Sequence, residues 1–164
     1  MAYQRLQVSE GLAVIPSDTV PIPDPATKAT SGTTNGAGSF SLIDSSKNFP
    51  TLGIQPGAIV YNISAQTAAF VTGLNPANPG SLLISVNTFG GGQDYVIYNA
   101  ATKACTLYVG VGPAAVVVQM ASQRDAANSD TVTFENVPSS AFLPILVTRV
   151  ASTGTVATKI IALW

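Results

Sequence analysis

The sequence predicts an all-β protein on three observations. Short β-branched and aromatic segments recur along the chain, turn residues separate them, and no long window carries a helical apolar period. The segments divide into an N-terminal extended arm with its tether over 1–39, a small antiparallel β-barrel-like module over 40–100, and a C-terminal antiparallel β-sheet or sandwich over 101–164.

The arm is set by Pro16, Pro21, Pro23 and Pro25, which fix φ and bias their neighbours towards extended backbone. Its apolar residues, including Leu12, cannot form a core alone. Two readings stay open for them: an ordinary N-terminal strand packed on its own domain, or an arm gripping a neighbouring subunit. In the second reading the anchors are Leu6, Val8, Val14, Ile15, Val20 and Ile22. The following stretch from Ala26 to Ser39, ATKATSGTTNGAGS, is polar and rich in Gly, Ser and Thr, and reads as a flexible tether.

In the middle module, Ala58–Ile63 is β-branched and follows the turn signal Pro56-Gly57. Thr67–Leu74 is the next strand, and Asn75 to Gly80 is a hairpin loop. Leu82, Ile84 and Val86 then alternate with polar residues, and Gly90 to Gln93 turns the chain into Tyr95–Tyr98. Short strands at this spacing suggest a small barrel or a bent meander.

The C-terminal strand candidates are Cys105–Val109, Ala115–Gln119, Thr131–Glu135, Phe142–Val150 and Lys159–Trp164, with an exposed polar loop at 120–130. Phe142 to Val147 is apolar on both faces, as in a strand sandwiched between layers. Pro144 within it cannot donate to a central ladder and belongs at an edge or a bulge. Cys105 is the only cysteine, so no internal disulfide forms; with Leu107 and Val109 on its face, it reads as a buried hydrophobe.

Composition narrows the function. The 164 residues are 46% hydrophobic but only 9% charged, where an average soluble protein has ~25% charged residues. Longer apolar runs such as Ala114 to Val118 are strand-length, so no membrane-spanning helix is expected. The opening MAYQRLQVSEG lacks the apolar centre of a signal peptide. Seven basic residues are balanced by eight acidic ones and lie scattered singly, so nucleic acid is not the expected ligand. A surface short of charge and a positive mean hydropathy favour self-association.

Catalytic residues are not expected. Histidine is absent, which removes the Ser-His-Asp and Cys-His arrangements and the usual zinc ligand sets. Leu42-Ile43-Asp44-Ser45-Ser46 faintly resembles the aspartic-protease signature but lacks its Gly, so Asp44 reads as a turn residue. Gly90-Gly91-Gly92 and Gly110-Val111-Gly112 lack the Lys and helix of a phosphate loop and read as turns between strands. Asn62-Ile63-Ser64 matches the glycosylation pattern and reads as a chance match inside a strand. No cofactor, metal or catalytic residue is assigned.

Several segments together carry a resemblance. The opening VIPSDTVPIP, the middle segment IDSSKNFPTLGIQPGAIVYNISAQTAAFVTGL with its closing YVIY, and the tail CTLYVGVG with TVTFENVPSSAFLPILVTRVASTGTVATKIIALW cover most of the chain. In that order they resemble virion structural proteins of tailed bacteriophages, especially phages of cyanobacteria and marine bacteria. The chain departs from that pattern at Val111-Gly112-Pro113, where such proteins often carry Gly-Gly-Asp, and in its longer polar insertion at 120–130. The resemblance implies a capsid decoration (cement) protein on the outer surface of the phage head, made in the bacterial host cytoplasm. The alternative it leaves open is a neck, tail or spike component involved in host attachment. The implied partners are the major capsid protein and further copies of the chain, as a homotrimer. No active site is carried across.

Overall fold

β-branched and aromatic residues spaced by turns build an antiparallel β protein. The computed structural model describes residues 8–99, 102–122 and 130–164. In chain order the first strands are β1 (Gly11–Ala13), β2 (Lys28–Thr33), β3 (Gly36–Gly38), β4 (Ser41–Ile43), β5 (Ile59–Asn62), β6 (Thr67–Leu74), β7 (Ser81–Ile84) and β8 (Asp94–Tyr98). They are followed by β9 (Cys105–Val111), β10 (Ala114–Met120), β11 (Val132–Val137), β12 (Ala141–Val150) and β13 (Thr158–Leu163). Single turns of 3-10 helix at Pro25–Thr27 and Phe49–Leu52 are the only helical elements among the described residues. No helix there is long and apolar enough to cross a membrane.

The chain forms two units that divide the expected arm and tether between them, while the boundary after Thr102 lies within two residues of the expected one. Residues up to Ile22 belong with Lys103–Trp164, and Pro23–Thr102 forms the other unit. The reason lies in the backbone of the first segment. β1 pairs with β13 through Gly11↔Leu163, Leu12↔Ala162 and Ala13↔Ile161. Beyond it, Val14 N donates to the Ile160 carbonyl, Ser17 N to Val150 and Ile22 N to Thr148, at 2.8–2.9 Å. The segment is therefore a built-in edge of its own unit.

That unit holds one six-stranded antiparallel sheet in the order β1-β13-β9-β12-β10-β11. Cys105, Leu107 and Val109 of β9 face Val116 and Val118 of β10, Val147 and Val150 of β12, and Ile160 and Ala162 of β13 in a single apolar core. Val14 and Ile22 belong to the same core. The β12 ladder with β9 shifts register between Leu143 and Val147, and Pro144 sits inside that irregularity. A proline there removes no regular ladder bond, as its sequence position demanded. The two-faced burial expected for Phe142–Val147 is not found. Phe142 and Leu146 are 42% and 57% exposed, while Val147 is fully buried, so one face of this stretch is turned outward.

The other unit holds seven antiparallel strands in the order β2-β8-β5-β6-β7-β4-β3. Its core is built from Leu42, Phe49, Ile54, Val60, Val71, Leu82, Phe89, Tyr95 and Ile97, among others. β2 occupies the stretch expected to be a flexible tether. It lacks apolar alternation, yet its backbone pairs with β8 from Lys28↔Tyr98 to Thr33↔Asp94. Gly32 is required there: a Cβ would meet Asp44 Oδ2 at 2.7 Å and the Tyr95 hydroxyl at 2.9 Å. β2 and β3, the two end strands, are consecutive in the chain through Thr34 and Asn35. Thr34 N donates to the Gln93 carbonyl and Asn35 N to Ile43, so the chain passes from one end of the sheet to the other at this point.

Candidate interaction surface

The residues expected to anchor an arm on a neighbour have separate fates. Val14, Ile15, Val20 and Ile22 are 7%, 3%, 3% and 2% exposed within the chain itself. Side chains already covered at home cannot also cover a neighbouring subunit, so these four are corrected to core residues of their own fold. Val8 is 46% exposed and remains a surface residue. Leu6 lies outside the described residues, as does most of the polar loop at 120–130.

The buried polar clusters around Asp44, Asn62 and Arg149 are hydrogen-bonded within the fold. Asp44 follows β4 and accepts from Ser46 N at 3.0 Å, from Ser46 Oγ at 2.6 Å and from the buried Tyr95 hydroxyl at 2.8 Å. Burial pushes the Asp44 pKa up, but the hydrogen bonds from Ser46 and Tyr95 and the charge of Lys47 outweigh it, leaving the carboxyl below its ordinary value. Tyr95 is driven the opposite way, first by burial and then by Asp44. The turn role read for Asp44 is correct, with a long-range partner added. Asn62 is fully buried; its Nδ2 donates to the Thr88 carbonyl and Gln93 Oε1, and its Oδ1 accepts from Ala65 N. That places the glycosylation match inside the fold, as a chance match.

The buried Arg149 of β12 donates from Nη1 to the Asp18 carbonyl and from Nε to Gln119 Oε1 at 3.5 Å. The Asp18 carboxylate accepts from Thr153 N and Thr153 Oγ1, each at 2.8 Å. The Thr153 backbone bond holds the Asp18 pKa below its ordinary value against the opposing effect of burial. These contacts lock the segment after β1 onto the loop after β12. Among the described residues, no group of three or more His, Cys, Asp or Glu side chains could hold a metal ion.

Surface chemistry is concentrated in exposed apolar side chains. Phe40, Leu83 and Val86 are 54%, 42% and 42% exposed in one unit; Phe142, Leu146 and Val156 are prominent in the other. The six-stranded unit also carries an open cavity of about 190 Å³ lined by Val8, Cys105, Thr106, Leu146, Leu163 and Trp164, with Lys103 and Ala104. Three of its lining donors bond internally: Trp164 Nε1 to the Lys103 carbonyl at 3.0 Å, Thr106 Oγ1 to Leu163 at 3.2 Å, and Cys105 Sγ to Val147 at 3.6 Å. The Lys103 side chain adds a cationic group beside largely apolar walls.

The chain matches no protein-family model, no curated protein and no solved structure. The reading therefore rests on its own residues. Sequence reasoning missed the cavity because Val8, Leu146 and Trp164 come from distant parts of the chain. Its one legible signal was the double-faced apolar run around Leu146, which sequence reasoning assigned to burial within the fold.

Proposed function

We propose that the chain is a non-enzymatic structural protein of a phage virion. In this reading it is a decoration (cement) protein on the outer surface of the head that binds the major capsid protein lattice and associates with further copies of itself as a homotrimer. The observation that carries it is the surface: large apolar side chains stand exposed on a chain of which only 9% of residues are charged. Where such side chains gather into a contiguous apolar patch they mark an interaction surface, and the low charge leaves few groups to interrupt one. A cement protein works by burying area across joints between shell subunits, and many modest contacts add up on a symmetric lattice through effective concentration. The resemblance of the tail segment TVTFENVPSSAFLPILVTRVASTGTVATKIIALW to phage virion proteins supports the same assignment.

The test is binding to purified shells that lack the protein. The chain is expected to pellet with them and to raise the temperature at which they open. A chain that stays in the supernatant at micromolar concentration would remove the decoration reading and leave the neck, tail or spike alternative.

A further inference from the structure

We draw no further inference here: the strongest candidate, the uncharged cross-strand row Ala13, Ile161, Tyr108 and Phe142 on the face of the six-stranded sheet that carries the exposed Phe142 ring, is an unpartnered apolar face, and nothing in the structure shows what covers it.

Discussion

At the scale of single residues, the Asp44–Tyr95 pair shows how a buried charge is tolerated when its acceptors are filled. Its carboxylate oxygens take the Ser46 and Tyr95 donors, and the Tyr95 ring packs edge-on against Phe49 and Phe89. Removing the hydroxyl with Tyr95→Phe leaves a buried acceptor short of a partner, and chemical denaturation should show a loss of about 1–3 kcal/mol. The pH dependence has a definite sign. The folded pKa values of Asp44 and Asp18 are lowered, so their contribution is complete above the unfolded carboxylate value and is lost as pH falls through the folded values, below about pH 4. In Asp44→Asn that acid limb should be shallower, which a series of melts from neutral to acid pH would measure. Cys105 gives a second check. Burial pushes its thiol up to about 12, so labelling by a thiol reagent should be slow in the native protein and fast in denaturant. Rapid native labelling would contradict its place in the core.

At the scale of elements, the N-terminal segment is the main correction to the sequence reading. Its prolines suggested an arm free to reach a neighbour, and nothing in residues 1–25 reveals that β13 and β12 supply its hydrogen-bond partners more than a hundred positions away. β2 was hidden for a related reason: Lys28-Ala29-Thr30-Ser31-Gly32-Thr33 has no apolar period, and its strand conformation comes from the edge of β8. Strands that are apolar in themselves and bounded by turn residues were legible, as Thr67–Leu74 shows with coincident bounds. The Gly110-Val111-Gly112 turn was legible only in part, because Gly110 and Val111 continue β9. Within the candidate surface, Val8 was legible as an apolar residue needing cover, whereas the exposure of Phe40 depends on a backbone angle that sequence pattern does not encode. Deleting residues 2–22 should now unfold the six-stranded unit. Burial of Val14, Ile15, Val20 and Ile22 contributes roughly 6–12 kcal/mol before ordering costs, comparable to the whole stability of a typical domain. Circular dichroism melts would detect the loss, and an unchanged transition would restore the free-arm reading.

At the scale of the whole molecule, one unit is inserted in the chain of the other, and each has a closed apolar core of its own. What remains at the surface is short of charge and dotted with exposed Phe, Leu and Val. This is the surface expected of a protein whose task is to be covered by others, and it gives the virion reading its physical content. A decoration protein must be present in proportion to the capsid lattice it covers; a neck, tail or spike component need not be. The most direct test is therefore the number of copies per particle, measured by quantitative peptide mass spectrometry against the major capsid protein in purified virions. The account predicts many copies, in a fixed ratio to the capsid protein. A handful of copies per particle, or none, would contradict it.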